Sequence, residues 1–141
     1  MKYTELKAKH SAEVNNFPMA FSFSDDQLVK ALKKLNVKRE NMEAELMGLD
    51  GGGMIRKTDV EAFDNMFARH RTERAEAFKD DEFLINAINY ELGNHEFIIT
   101  YDPQPVIDAL NLDIEDERVL KCFCIARKKY LEWQEEHGCF A

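Results

Sequence analysis

The glycine-rich stretch from Gly48 to Glu61 is the first place to look for chemistry. Asp50 is followed by Gly51, Gly52 and Gly53, then by Met54, Ile55, Arg56, Lys57 and Thr58. Exposed amides ahead of a helix attract anions, and Arg56, Lys57 and Thr58 add charge and a hydroxyl. A phosphate loop of the Gly-x4-Gly-Lys-Ser/Thr kind is not spelled, because Gly48 and Gly53 are followed by Met54 and Ile55. Three glycines in a row carry a large ordering cost. The stretch therefore reads as a tight turn or as a backbone surface that a partner approaches closely.

Histidine and carboxylate spacing offers a second possibility. Glu91 and His95 are four residues apart, on one face of any helix that carries them, with Glu96 adjacent. His70, Glu73 or Asp59 would have to complete a metal site. The His-Glu-x-x-His order is absent, since His95-Glu96 runs into Phe97-Ile98-Ile99. No metal or other cofactor is expected. The plainer reading makes Glu91, Asn94 and His95 a polar helix end. It also makes His70, on the face of Phe63 and Phe67, a hydrogen-bonded core histidine, with His10 on the apolar face of the first helix. An enzyme built on Gly51–Gly53 with His70, Glu91 and His95 is the rival reading.

No nucleophile stands out. Ser11, Ser22 and Ser24 fall in helix, strand and cap contexts rather than on a sharp turn. Cys122, Cys124 and Cys139 are an odd number at spacings that fit no zinc motif, which predicts reduced thiols in a cytoplasmic protein. Cys124, inside a helix, reads as packing.

Acidic clusters remain: Asp80-Asp81-Glu82, then Asp113, Glu115, Asp116 and Glu117, then Glu132, Glu135 and Glu136. The net charge of −8 lies wholly beyond residue 50, where eleven Lys/Arg face nineteen Asp/Glu. Such a surface repels phosphate backbones and argues against direct nucleic-acid binding. It suits a protein partner with a basic groove, and the clusters can imitate spaced phosphates. Carboxylates at helix starts also have a structural role through the helix dipole.

These residues need elements to hold them. A chain of 141 residues with 45% hydrophobic content and ten Phe can build one domain with its own core. No apolar leader and no membrane-length apolar run are apparent. Tyr3, Leu6, His10 and Val14 predict a helix over 2–14, ended by Asn15-Asn16-Phe17-Pro18. Met19 to Phe23 predicts a short strand. Ser24 to Gln27 is a capping box ahead of a helix to Leu35. Residues 43–49 and 54–57 predict a hairpin across the glycines. Thr58 to Glu61 is a second capping box before a helix to about residue 79.

Asp80 or Asp81 then caps a helix carrying Phe83, Leu84, Ala87, Ile88 and Leu92. Phe97 to Tyr101 is the most strand-like run. Asp102-Pro103 starts a short helix to Leu110. Asp113 opens the last helix, with Val119, Leu120, Phe123, Arg127, Tyr130 and Leu131 on its inner face and Gly138 at its stop. The fold class is α+β, helix-rich, with a small antiparallel sheet made of the hairpin and the 97–101 strand.

Residues 1–10 (MKYTELKAKH), 15–24 (NNFPMAFSFS), 51–59 (GGGMIRKTD) and 90–97 (YELGNHEF) together resemble a family of small proteins carried by bacteriophages, prophages and conjugative elements of gut bacteria. The resemblance implies a protein that acts on host machinery. In length and acidity the chain is similar to several anti-CRISPR proteins of type II systems. It implies no catalytic residue. The expectation is an inhibitor, not an enzyme, that binds a host CRISPR effector nuclease in its nucleic-acid channel. The acidic residues 113–117 would steer it, and Gly51, Gly52, Gly53, Arg56 and Lys57 would supply a shape-specific contact.

Overall fold

A computed structural model describes residues 1–138. The described chain is α+β, with eight α-helices and one three-stranded antiparallel sheet. It divides into two compact units, residues 1–7 with 73–141 and residues 8–72. Cys139 lies outside the described residues.

The sheet belongs to the 8–72 unit. Strand β1 (Met19–Phe21), β2 (Leu46–Gly48) and β3 (Gly53–Arg56) are ordered β1-β3-β2. Met19 and Met47 both face Ile55 in the register, and Ile55 is fully buried. The hairpin across the glycines is therefore present, but shorter than its sequence suggests. Residues 42–45 form a helical turn, α3 (Met42–Glu45), in keeping with the weak strand tendency of Glu and Ala. Helix α2 (Asp25–Leu35) covers the sheet with Ala31, Leu32 and Leu35. Its capping box forms: Ser24 accepts from the Gln27 amide, and the Gln27 side chain accepts from the Phe23 amide.

The second capping box, at Thr58–Glu61, does not take shape as expected. A 3₁₀ turn at Lys57–Asp59 precedes α4 (Val60–Ala77), and its N-cap Arg56 makes no side-chain cap. Arg56 pairs with Asp59 across the turn instead, at 3.0 Å. Helix α1 (Tyr3–Asn16) contributes residues to both units, as does α4.

The other unit is helical. Helices α5 (Asp81–Asn94), α6 (Phe97–Thr100), α7 (Gln104–Leu110) and α8 (Glu117–His137) pack around Leu84, Ile88, Leu92, Val106, Phe123 and Ala126. Asp80 caps α5 through the Phe83 amide, and Asp102 receives the Gln104 amide at the start of α7. Helices α5 and α8 run parallel. Asp81 meets Arg118 and Asn89 meets the Ala126 carbonyl, both pairs 37 residues apart. Gly93 and Tyr130 keep the same offset.

The strand expected at 97–101 is instead the single helical turn α6, so the third strand of the sheet is β1. Glu96 and Tyr101 both adopt left-handed φ, 54° and 53°, and turn the chain on either side of it. Phe97 is buried against Tyr101 and Tyr130, and the sheet lies in the other unit, so burial overrides strand propensity. The α8 cap is Asp116, which accepts from the Arg118 and Val119 amides, while Asp113 makes only a turn to the Glu115 amide. The inner face of α8 is Cys122, Phe123, Ala126 and Tyr130; Leu120 and Arg127 are exposed.

Candidate functional site

The glycine turn is built by backbone geometry. Gly51 and Gly52 hold φ of 78° and 84°, a region that side-chain-bearing residues rarely enter. Gly53 returns to extended backbone and starts β3. The Gly52 carbonyl accepts from the Ser22 amide at 3.2 Å, and the Gly53 carbonyl accepts from Leu49 at 2.7 Å. The turn is thus tied to the end of β1 as well as to β2. A Cβ on Gly52 would lie 2.7 Å from the ring of Phe23, which is itself 74% exposed. Beside it, Arg56 pairs with Asp59, and Lys57 donates to the Glu43 carbonyl at 2.9 Å. The five loop residues singled out in the sequence therefore sit together in the 8–72 unit, with both cations engaged within the chain.

Residues Asp113, Glu115, Asp116 and Glu117 are all exposed, in the other unit, at the start of α8. Because α5 and α8 are parallel, Asp80, Asp81 and Glu82 lie at the same end. Arg118 joins the two groups, donating to Asp81 at 2.6 Å and to the Phe78 carbonyl at 2.9 Å. Seven carboxylates therefore share one pole, over the positive ends of two helix dipoles. Cys122 lies one turn into α8. Burial, then the charge of Asp81, pushes its thiol up and away from thiolate chemistry. Cys124 is exposed.

The histidines and Glu91 occupy two different knots. In the helical unit, Glu91 is 1% exposed. Its Oε1 accepts from the Tyr3 hydroxyl and from Lys7 Nζ, both at 2.7 Å. Its Oε2 accepts from Asn94 at 3.2 Å and lies 3.2 Å from His95 Nε2. Burial favours the neutral carboxyl, but the bonds from Lys7, Tyr3 and Asn94 outweigh it and hold the pKa below the usual range. In the other unit, His70 is 7% exposed and donates through Nε2 to Glu13 at 2.7 Å. Arg69 donates to the same oxygen at 2.6 Å, and His10 stacks on His70 with ring centroids 4.0 Å apart.

His70 is thus the bonded core histidine that its spacing suggests, and its partner is Glu13 rather than Glu91. Among the described residues, no three of His, Cys, Asp and Glu gather at a spacing that could hold a metal ion. Sequence reasoning missed Tyr3, Lys7 and Glu13. A signal for the first knot was available: Glu91 interrupts the apolar series Leu84, Ile88, Leu92, and a carboxylate on a buried face requires partners.

Fold and site together define a helix-rich α+β protein with two hydrogen-bonded carboxylate knots and one acidic pole. The chain belongs to the Family of unknown function (DUF7659), whose sequence pattern matches residues 2–129. No curated protein and no solved structure matches it. No helix among the described residues is long and apolar enough to cross a membrane.

Proposed function

We propose that this protein is an interaction protein of a phage or mobile element that inhibits a host nucleic-acid-binding enzyme by occupying its basic groove. The single observation carrying the reading is the acidic pole, where the parallel starts of α5 and α8 place Asp80, Asp81, Glu82, Asp113, Glu115, Asp116 and Glu117 at one end. Grouped carboxylates on a chain of net charge −8 steer it toward cationic surfaces and away from nucleic acid itself. The partner implied by the sequence resemblance is the effector nuclease of a type II CRISPR system in the host cytoplasm. No cofactor and no catalysis are part of this role. The glycine turn with Arg56 and Lys57 is a second, shape-specific contact in the same reading.

The test is guide-directed DNA cleavage by purified type II effectors, with this protein added before or after target DNA. Inhibition is expected when it is added first, together with a stable complex on size-exclusion chromatography. Unimpaired cleavage by every effector tested, with no complex formed, removes the reading.

A further inference from the structure

At the other end of the same two helices lies a groove of about 420 Å³. Gly93 lines it, and a Cβ added there would meet Tyr130 Cε2 at 3.8 Å. Its walls are Tyr90 and Trp133, which remain 43% and 55% exposed. Among the described residues, none that lines it is charged.

Three features narrow what fits. First, the asparagine amides are oriented. Asn94 Nδ2 donates to Glu91, and Asn89 Nδ2 donates to the Ala126 carbonyl at 3.5 Å. Each amide uses one N–H within the chain, and its carbonyl oxygen, which takes no part in that bond, can accept from a ligand. Asn94 donates to an ionised carboxylate, which polarises its oxygen further. Second, the walls offer aromatic faces, which attract cations. Lys7 already lies 5.3 Å from the Tyr90 centroid, but its charge is balanced by Glu91. His137 covers one side of Trp133 at 4.9 Å. Third, α5 ends at Asn94 and α8 at His137. Parallel helices bring two negative dipole ends toward one groove, which favours positive charge.

Aromatic rings, amide oxygens and two negative helix ends match a planar cation that has donors and no acceptor. That is a guanidinium group. A neutral sugar would gain nothing from the dipoles, and an anion would be repelled. We propose that this groove binds an arginine side chain of a partner protein, stacked between Tyr90 and Trp133 with its N–H groups on the Asn89 and Asn94 oxygens. The proposal goes beyond the acidic-pole reading and does not depend on it.

Trp133 is the only tryptophan of the chain, so its emission reports on the groove alone. The full-length protein is titrated with acetyl-Gly-Arg-Gly-amide, and with the same peptide carrying citrulline, a neutral isostere, or lysine. A saturable change is expected with arginine, with citrulline weaker by about tenfold and lysine between them. Gly93→Leu fills the groove and is expected to abolish the arginine response at an unchanged melting temperature. Tyr90→Leu is expected to weaken it by about tenfold. If Gly93→Leu melts early, the Tyr90→Leu titration decides. Equal responses to arginine and citrulline overturn the proposal, as does an arginine response that is absent or survives both substitutions. None of these probes involves a nuclease, so the outcome is independent of the cleavage test above.

Discussion

Tyr3 donates its hydroxyl to Glu91 at 2.7 Å across 88 residues of sequence, and that buried carboxylate ties residues 3–7, the first turn of α1, to α5 within the helical unit. Burial, then the bond to Glu91, pushes the Tyr3 hydroxyl far above its usual range, so it remains a donor at any working pH. Lys7 supplies the compensating charge from the exposed side. Glu91→Ala leaves the buried Tyr3 hydroxyl without its acceptor, while the half-exposed Lys7 can hydrate, and is expected to cost about 1–3 kcal/mol. Tyr3→Phe, which removes one neutral donor, is expected to cost about 1–2 kcal/mol. Urea denaturation measures both, and a Glu91→Ala protein as stable as wild type would show that the knot does not hold the helix.

Glu13 gives the other unit a dependence on acid. Arg69, then His70, holds its carboxyl down from an ordinary 4.5 to about 2. A group whose pKa is lower folded than unfolded binds protons preferentially in the unfolded state. Its contribution is complete above pH 4.5 and is lost as pH falls toward 2. Glu91 is shifted in the same direction and adds to the same loss. Thermal melts between those limits should show a steep fall in melting temperature. Glu13→Gln should lower the neutral-pH melting temperature and flatten the acid slope. An unchanged slope in that variant would mean that Arg69 and His70 do not act through Glu13.

The glycine turn makes a prediction that separates its two positive-φ residues. A Cβ on Gly51 meets open space, whereas one on Gly52 meets Phe23 at 2.7 Å. Asparagine tolerates the left-handed region better than other side-chain-bearing residues. Gly51→Asn should therefore cost less than about 1 kcal/mol, and Gly52→Asn clearly more. Adding Phe23→Ala to Gly52→Asn should recover part of that loss, because the two sites share one contact. Strict additivity in this cycle would show that backbone strain, not the ring, sets the cost. Gly52→Val should lower the melting temperature, marking the turn as structural whatever else it contacts.

Much of this architecture was legible in the residues. The capping box at Ser24, the caps at Asp80 and Asp102, and the hairpin around the glycines are local chemistry, and local chemistry is written in sequence. Phe97-Ile98-Ile99-Thr100 misled because strand propensity measures fit to a pleated surface, and this unit provides none among its described residues. Helix α8 misled by phase. Val119, Phe123 and Tyr130 fit two stripes, one through Leu120 and Arg127, the other through Cys122 and Ala126. Only packing chose the second. Ala126 is fully buried and Leu120 is not. Ala126→Leu should cost about 1–3 kcal/mol by overpacking, and Leu120→Ala about 0.5 kcal/mol or less. The reverse ranking would restore the first stripe. The groove at Gly93 was illegible, because its aromatic residues come from two helices whose parallel pairing no local pattern announces.

The acidic pole can be tested without disturbing the helices it decorates. Asp116 caps α8, Asp113 holds the preceding turn, and Asp81 anchors Arg118. Reversing any of these removes a structural bond as well as a charge, and the loss of a cap alone costs about 1 kcal/mol. Glu115 and Glu117 are exposed and hold none of those bonds. Glu115→Lys with Glu117→Lys should therefore leave the fold nearly unperturbed apart from a small dipole penalty. Steering by exposed charges is screened beyond about 8 Å at physiological salt and acts chiefly on the association rate. If the pole meets a basic groove, the double reversal should slow association with a type II effector several-fold, change dissociation little, and flatten the salt dependence. Reversing Glu135, exposed near the opposite end of α8, is the control and should do less. Surface plasmon resonance at low and high salt reads all four rates. Binding that is equally fast for the double reversal and for wild type at low salt would leave the inhibitor reading in place but move its contact away from the pole.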